Sequence, residues 1–273
     1  MAHHMIDIHS HILPGIDDGA KDIAMSLEIA RLAVADGTKF MACTPHFMPG
    51  MYDTSMETLH SGIRQLQKKL NEQAIDLTLI AGGDIHVSPD LRQKLDQGKV
   101  PSLGGTRYFL FEPPHHVLPP NLVNLCKQLL EHGYVPILTH PERLTWIENH
   151  YDVMCTLDEM GVPIQLTAKS ITGEFGKRPK YWSDRMLNEG RVDLIASDAH
   201  NPTSRPPGLS KARDEIDRIL GRQATITIVY DNPALLLQNK PLTAKSPRLT
   251  DKKSREPVSG LWQSLKRKFH VQG

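Results

Sequence analysis

The sequence predicts an α/β fold of the barrel type, specifically a distorted seven-stranded (β/α)7 TIM-like barrel. Short apolar runs of strand length alternate with amphipathic segments of helix length along most of the 273 residues. Strands that alternate with helices form parallel sheets, and seven such units in sequence close most simply into a barrel. The chain length also suits one α/β barrel.

Seven strands are predicted, each an apolar run bounded by turn residues. They cover residues 5–8, 39–43, 77–81, 108–111, 135–138, 163–166 and 192–196. Helices between them are predicted at residues 23–35, 54–71, 122–132, 153–160 and 180–188. The first helix places Ile23, Leu27, Ala30 and Val34 at helical spacing, and Gly37 is a usual stop signal just after its end.

Composition limits the functional classes that fit this chain. A formal net charge of +1 implies no bulk attraction to nucleic acid, so no nucleic-acid partner is expected. Fourteen histidines favour metal or phosphate chemistry. Three cysteines without metal-ligand spacing indicate a reducing compartment, and no apolar run has the length of a membrane span. We therefore expect a cytoplasmic protein.

The segments that follow the predicted strands are rich in metal-ligand side chains. In a (β/α) barrel the C-terminal strand ends share one rim, where active sites form. The strand ends that carry such residues are the first with His9 and His11, the second with His46, the third with Asp84, the fourth with Glu112, the fifth with His140, and the seventh with Asp198 and His200. Only the sixth, near Thr167, offers no obvious ligand. This collective pattern predicts a metal site.

Each of these residues has a plainer interpretation when it is taken alone. An Asp or His that follows a strand often caps the next helix or lines a loop. That interpretation is adopted for His86, His115 and His116, as loop residues near the site. Asp17 is interpreted as a turn former, and Asp18 as either a turn residue or a ligand.

Eight short motifs occur in order along the chain. They are Ile6-Asp7-Ile8-His9-Ser10-His11, Asp17-Asp18-Gly19, Thr44-Pro45-His46, Gly82-Gly83-Asp84, Phe111-Glu112, Thr139-His140-Pro141-Glu142-Arg143, Ser197-Asp198-Ala199-His200 and Arg205-Pro206-Pro207-Gly208. Together they resemble the polymerase and histidinol phosphatase (PHP) family, and most closely its metal-dependent tyrosine-protein phosphatases from bacterial capsule and exopolysaccharide loci. The resemblance spans roughly residues 5–240 and implies a distorted barrel with a trinuclear, typically manganese, centre.

The resemblance also implies which residues bind each metal. His9, His11 and Asp198 would bind the first metal, Glu112 and His140 the second, and Asp18, His46 and His200 the third. Asp84 would bridge the first two metals, at a position where relatives usually carry the longer Glu. Nine nitrogen and oxygen ligands are too many for one ion, and this ligand type suits Mn2+, Fe or Zn. Up to three divalent ions are therefore expected.

The chemistry expected of such a centre is phosphate ester hydrolysis. Bridging metals make hydroxide available near neutral pH, and it attacks a bound phosphoryl group in line. Arg143 and Arg205 are predicted to bind the phosphate because a guanidinium matches two phosphate oxygens. The competing interpretation of each arginine is a surface salt bridge. The resemblance implies a phosphotyrosine protein as substrate, with a membrane tyrosine kinase of a capsule or exopolysaccharide system as the expected partner.

Three other functions stay open at this point. The first is a PHP phosphoesterase acting on histidinol phosphate or a nucleotide. The second is a metal-dependent amidohydrolase, for which Lys169 is the only strand-end candidate for a carbamylated lysine. The third is a catalytically inactive metal-binding scaffold recruited to a polysaccharide kinase. A cysteine-dependent tyrosine phosphatase is excluded, since the residues six positions after the three cysteines are Pro49, His132 and Gly161 rather than Arg.

Two regions are predicted: a phosphatase barrel over residues 5–244, implied by the resemblance, and a basic linker with a short amphipathic tail over residues 245–273, indicated by charge. The tail carries a net charge of +6, and the preceding residues carry −5. Apolar side chains of residues 260–269 share one helical face, as in a helix that lies on anionic lipid. We therefore expect peripheral contact with the inner face of the cell membrane. The competing interpretations are an unstructured tail and docking onto an acidic partner.

Overall fold

Parallel strands and helices alternate along the chain in the computed structural model, which describes residues 4–52 and 54–243. The strands are β1 Met5–Asp7, β2 Thr38–Cys43, β3 His46–Phe47, β4 Thr78–Ala81, β5 Asp84–His86, β6 Tyr108–Glu112, β7 Val135–Thr139, β8 Ile164–Thr167 and β9 Leu194–Ala196. Every pairing between these strands is parallel. The predicted class, a mixed α/β fold with parallel strands, is confirmed. The tail prediction for residues 245–273 lies outside the described residues.

The helices lie between the strands and after the last one. They are α1 Ile23–Ala35, α2 Met56–Glu72, α3 Leu91–Asp96, α4 Leu122–Glu131, α5 Tyr151–Glu159, α6 Ala168–Ile171, α7 Lys177–Asn188, α8 Ser210–Leu220, α9 Arg222–Ile226 and α10 Asn232–Leu237. Helix α1 has the predicted bounds. It begins where the Asp22 carboxylate accepts a hydrogen bond from the Met25 amide, a side-chain N-cap.

The strands belong to two sheets with the orders β1-β2-β4 and β3-β5-β6-β7-β8-β9. Hydrogen bonds beyond the strand ends connect the two sheets. The amide of Asp198 donates to His9 O at 2.9 Å, and the amide of His11 donates to Ala199 O at 2.8 Å. The segments after β1 and β9 therefore run side by side, and the metal-ligand residues of both segments meet there.

The described residues contain nine strands instead of the predicted seven, because a short additional strand follows each of the second and third predicted strands. Strand β3 follows β2 after Thr44-Pro45, and Pro45 has no amide hydrogen for a ladder. Strand β5 follows β4 after Gly82-Gly83, where a Cβ on Gly83 would lie 2.7 Å from the Phe47 ring. Both breaks move the chain to the second sheet just before a site residue, His46 or Asp84.

A side chain covers the open edge of β4 beside α2. The amide of Leu79 donates to Gln67 Oε1 at 2.8 Å, and Gln67 Nε2 donates to Leu77 O at 3.0 Å. Gln67 thus replaces a neighbouring strand for two backbone groups, which would otherwise lack partners at this edge.

The core consists of two apolar clusters on opposite faces of the strands. One contains alternate strand residues, including Ile6, Phe40, Leu110 and Leu194, and α10 packs against it. The other lies under the helices and includes Phe109, Ile164 and Leu166. Because successive strand residues face opposite sides, Glu112 and Gln165 point to the same interior as the first cluster, at its open end. That end forms the candidate site.

Candidate metal centre

The nine predicted metal ligands come together at the C-terminal ends of the strands. They are His9, His11, Asp18, His46, Asp84, Glu112, His140, Asp198 and His200. Seven of them are buried, His46 is partly buried, and Asp18 is exposed at the rim. Burying this many imidazoles and carboxylates is costly unless they are paired or coordinate a cation.

His9, His11 and Asp198 form the deepest group. The Nε2 atoms of the two imidazoles are 3.3 Å apart, and they lie 3.5 and 3.4 Å from Asp198 Oδ1. Ligand atoms about 2.1 Å from an ion at the corners of a tetrahedron are separated by about 3.4 Å. The spacing of these three atoms therefore fits coordination of one divalent ion.

Glu112 and His140 form a second group on β6 and the segment after β7. Glu112 Oε1 lies 3.5 Å from His140 Nε2 and 3.6 Å from His115 Nε2, so His115 reaches the group despite its assignment to a loop. Asp84 lies between this group and the first. Its Oδ2 is 3.4 Å from His9 Nε2, and Asp84 also clusters with His46 and Glu112.

Asp18 joins His46 and His200 at the rim. Its Oδ1 is 3.5 Å from His46 Nε2 and 3.3 Å from His200 Nε2. The turn that carries Asp18 packs tightly on the first group, because a Cβ on Gly19 would lie 2.1 Å from His11 O. Glycine at position 19 is therefore required by this close approach.

The described residues leave several polar atoms of the centre without a hydrogen-bond partner. Both carboxylate oxygens of Asp84 are in this state, as are His140 Nδ1 and His200 Nε2. A buried carboxylate without donors loses its hydration without replacement. The residues present therefore fit divalent cations with nitrogen and oxygen ligands.

The carboxylates create a strongly negative field in the centre. Burial lowers the pKa of His9, but the charges of Asp84 and Asp198 outweigh burial and raise that pKa to about 9. Burial likewise lowers the pKa of His46, yet Asp18, Asp84 and Glu112 raise it to about 10. The same field that stabilises an imidazolium attracts a metal cation.

Two buried side chains orient the first two imidazoles. Asp17 Oδ2 lies 2.6 Å from His11 Nδ1, and Gln165 Oε1 lies 3.0 Å from His9 Nδ1. Each acceptor holds the hydrogen on Nδ1 and leaves Nε2 free to bind a metal. The turn predicted at Asp17 is confirmed, since its Oδ1 accepts a hydrogen bond from the Gly19 amide at 3.0 Å.

The prediction that strand six offers no obvious ligand did not consider Gln165, which contacts a ligand candidate instead of being one. The signal for it was present in the sequence, because Gln165 is a polar residue between Ile164 and Leu166 in an apolar strand. Its partner His9 could not be found from local sequence. The role of Asp17 beyond the turn was missed for the same reason.

Two of the ligand candidates have strained backbones. His140 has φ of 36° and Asp198 has φ of 53°, in the left-handed region that side chains other than Gly rarely adopt. Such a conformation costs on the order of 1–3 kcal/mol and persists where surrounding structure enforces it. In both cases it turns the chain sharply at a strand end.

Arg143 and Arg205 both lie in the site. Each donates a hydrogen bond to Oδ2 of Asp198, opposite the oxygen that faces the histidines. The two guanidinium groups line a cavity of about 400 Å³ together with Asp84, Glu112 and other ligand candidates. Guanidinium groups are the side chains that suit a multiply charged oxyanion.

A family model shows which family the chain belongs to. A model described as "Capsular polysaccharide synthesis, CpsB/CapC" matches residues 5–238. The chain belongs to the CpsB/CapC family. The resemblance that the sequence motifs indicate is thereby confirmed.

Two tyrosine-protein phosphatases match over nearly their whole length. The chain is 34% identical over 244 residues to tyrosine-protein phosphatase YwqE of Bacillus subtilis, covering 89% of this chain and 96% of YwqE. It is 30% identical over 241 residues to tyrosine-protein phosphatase CpsB of Streptococcus pneumoniae, covering 86% and 99% of the two chains.

Solved structures agree with this assignment. A structure from work on YwqE and CpsB, described as metal-dependent tyrosine phosphatases, superposes with a TM-score of 0.86 at 33% identity, covering 91% of this chain and all of that one. Histidinol phosphate phosphatase from Lactococcus lactis has a TM-score of 0.52 at 12% identity, covering 79% of this chain and 93% of its own, and shares the fold. None of the helices in the described ranges is long and apolar enough to span a membrane.

The rim of the candidate site contains further aromatic side chains. His86 and His115, predicted as loop residues near the site, line the cavity. Tyr52 stacks on His46, with ring centroids 5.3 Å apart and planes 15° apart. Lys169, the residue that an amidohydrolase would use, instead contacts Glu174 at 3.1 Å and donates to Ser204 O. It belongs to none of the ligand clusters in the described part of the chain.

Proposed function

We propose that this CpsB/CapC family member is a metal-dependent tyrosine-protein phosphatase. The observation that carries the proposal is the convergence of Arg143 and Arg205 beside the metal-ligand cluster, in one cavity. The names of the YwqE and CpsB relatives give the same reaction. Intact ligand positions count against a catalytically inactive scaffold.

In this proposal the nine residues hold up to three divalent ions. His9, His11 and Asp198 hold one, Glu112 and His140 a second, and Asp18, His46 and His200 a third, with Asp84 shared between the first two. Mn2+ is the proposed metal, and Fe or Zn would suit the same donors. Bound ions would supply Lewis-acid activation to phosphate ester hydrolysis.

The remaining steps belong to residues of the chain. Arg143 and Arg205 would break their hydrogen bonds to Asp198 and donate instead to the phosphoryl oxygens of the substrate. Their paired donors would offset the negative charge that develops on those oxygens. Tyr52 would contact the aromatic ring of the substrate at the rim. A phenolate leaves with a pKa of about 10, so it needs little assistance from a general acid.

We also propose the finer features of fold and location. Each short additional strand is interpreted as sharing one position of a seven-membered barrel with the strand before it, so that β2 with β3 and β4 with β5 each count once. Residues 5–244 would form the catalytic domain, located in the cytoplasm. The substrate would be a phosphotyrosine of a membrane tyrosine kinase in capsule or exopolysaccharide synthesis.

The basic tail is proposed to bring the enzyme to the inner face of the membrane. Each basic residue near anionic lipid contributes about 1 kcal/mol, and residues 245–273 carry a net charge of +6. Full-length protein should therefore co-sediment with anionic vesicles, while protein truncated after Ala244 should not. Equal sedimentation of the two proteins would end this part of the proposal.

One comparative assay tests the proposed function. Protein reconstituted with Mn2+ would be given a phosphotyrosine peptide, histidinol phosphate and a dinucleotide side by side. We expect the phosphotyrosine peptide to be hydrolysed with the highest kcat/KM, and turnover to stop when a chelator removes the metal. Preference for histidinol phosphate or the dinucleotide would assign the site to another phosphoesterase.

A further inference from the structure

A second cleft, of about 140 Å³, adjoins the catalytic cavity. Met48, Tyr52 and His86 line both spaces, so one layer of side chains separates them. Neighbouring Cα atoms of a peptide are 3.8 Å apart. A peptide with its phosphotyrosine in the catalytic cavity would therefore place a nearby side chain at this cleft.

The floor of the cleft is apolar. Phe47, Ile85 and Val100 line it and are almost fully buried, with 5%, 1% and 9% of their surfaces exposed. Pro49 completes the apolar lining. This floor suits the methylene stem of a side chain and offers no charged group to it.

The charged residues that line the cleft are both cations. Lys94 is partly satisfied, since its Nζ lies 2.9 Å from Asp90 Oδ1 and 3.3 Å from Ser88 Oγ. Lys99 makes no ion pair with any residue in the described ranges. The lining includes no Asp or Glu. The charge of this cleft therefore favours an anionic occupant.

A threonine also lines the cleft. Thr54 lines it, and the Thr54 hydroxyl has no hydrogen-bond partner among the described residues although the oxygen is buried. A buried hydroxyl without a partner is costly, and an occupant with an acceptor oxygen would remove that cost.

We propose that this cleft binds the carboxylate of a Glu or Asp side chain in the substrate peptide, a few residues from the phosphotyrosine. The carboxylate contacts Lys99 and the Thr54 hydroxyl while its stem lies on Phe47 and Ile85. The cleft thus selects acidic sequences around the phosphorylated residue. This inference rests on the proposed phosphatase function.

The test compares matched phosphotyrosine peptides that carry Glu or Gln at each position from three before to three after the phosphotyrosine. Wild-type protein should show a kcat/KM about three- to tenfold higher for Glu at one or two positions, an effect of the size expected for a partly exposed ion pair. Lys99→Met, which keeps the stem and removes the charge, should abolish that ratio, and Lys99→Arg should restore it. Lys127→Met, at a lysine that is 63% exposed on α4, is the matched control and should keep it.

The same experiment separates this inference from the proposed function. Hydrolysis of the Gln peptides and of p-nitrophenyl phosphate reports the phosphatase itself and should be unchanged in Lys99→Met. If no phosphotyrosine substrate is hydrolysed, the proposed function fails, and binding of non-hydrolysable phosphonate peptides with Glu or Gln gives the same comparison. Equal kcat/KM and equal affinity for Glu and Gln peptides in wild-type protein would overturn the inference, as would an unchanged ratio in Lys99→Met.

Discussion

Gln165 and His9 are joined by a 3.0 Å contact between the side-chain oxygen of Gln165 and Nδ1 of His9. Both side chains are fully buried, and the amide oxygen can only accept a hydrogen bond, so His9 must carry its hydrogen on Nδ1. The Nε2 lone pair is then directed at the metal-ligand cluster. Gln165, which is not itself a ligand candidate, thus determines which ring nitrogen of His9 carries the hydrogen.

Replacing Gln165 should therefore weaken metal binding. We expect Gln165→Leu to lower affinity for Mn2+ about 10–100-fold, the usual effect of losing a partner of a ligating histidine. Gln165→Glu should retain most of the affinity, since a carboxylate also accepts from Nδ1. Titration calorimetry would measure both, with exposed Gln93→Leu on α3 as control. Unchanged affinity in Gln165→Leu would contradict this role.

Asp84 should respond to substitution according to side-chain length. If it is a shortened bridging ligand, Asp84→Glu should keep or raise metal content. Asp84→Ala should lower both metal content and rate, by more than the roughly 10–100-fold loss seen when a residue that only contacts a metal ligand is replaced. Elemental analysis of metal per protein, combined with kcat, measures the effect. An alanine variant with normal metal content and normal rate would refute the assignment.

Arg205 should affect phosphate binding without affecting the metals. A charge-assisted contact to phosphate contributes about 1.5–3 kcal/mol, so Arg205→Ala should weaken inhibition by inorganic phosphate about ten- to a hundredfold. Metal content should stay normal, because the guanidinium contacts the Asp198 oxygen that faces away from the histidines. Arg92→Ala, a removal of an exposed arginine on α3, is the control. An unchanged response to phosphate would show that Arg205 acts elsewhere.

Arg178 should act through the position of Arg143. Its Nη atoms donate to Arg143 O and Leu144 O, and its Nε donates to Glu148, so α7 holds the turn that carries Arg143. We expect Arg178→Ala to raise KM for phosphopeptide several-fold with normal metal content. Arg178→Lys should not restore the wild-type KM, because one ammonium group cannot replace the several donors of a guanidinium.

The matched control for Arg178 is Lys177→Ala, which removes a charge from the exposed first turn of the same helix. Its KM should equal that of wild-type protein. A KM that rises equally in both variants would indicate a general effect of helix charge instead of positioning of Arg143.

Thiol alkylation should leave activity intact, whereas removal of the metal should abolish it. Cys43 and Cys126 are buried, and burial raises the pKa of Cys126 to about 12 and that of Cys43 further. Their thiols are therefore protonated and unreactive near pH 8. Cys155 is partly exposed on α5, away from the metal centre, and is the cysteine expected to react first. Loss of turnover after iodoacetamide treatment, with the metal still bound, would exclude a metal-dependent mechanism that uses no cysteine.

Local sequence pattern predicted five of the ten described helices, the parallel class and a shared rim for the strand-end residues. The bounds of α1 follow from its apolar spacing and its Gly37 stop. Eight of the nine ligand candidates follow predicted parallel strands, whose ends share one rim, and Asp18 was added by the family resemblance. Helical apolar spacing and the residue types that follow an apolar strand can both be recognised from neighbouring residues, and the hydrophobic effect acts directly on apolar spacing.

Tertiary structure alone decided the contacts that tune the site. Gln165 reaches His9 across 156 positions, and Arg143 reaches Asp198 across 55. No local pattern encodes such pairs, because they depend on how the strands are placed in the sheets and on the breaks before β3 and β5. A burial pattern marks a polar residue in an apolar strand as unusual, but only the packed chain determines which atom satisfies it.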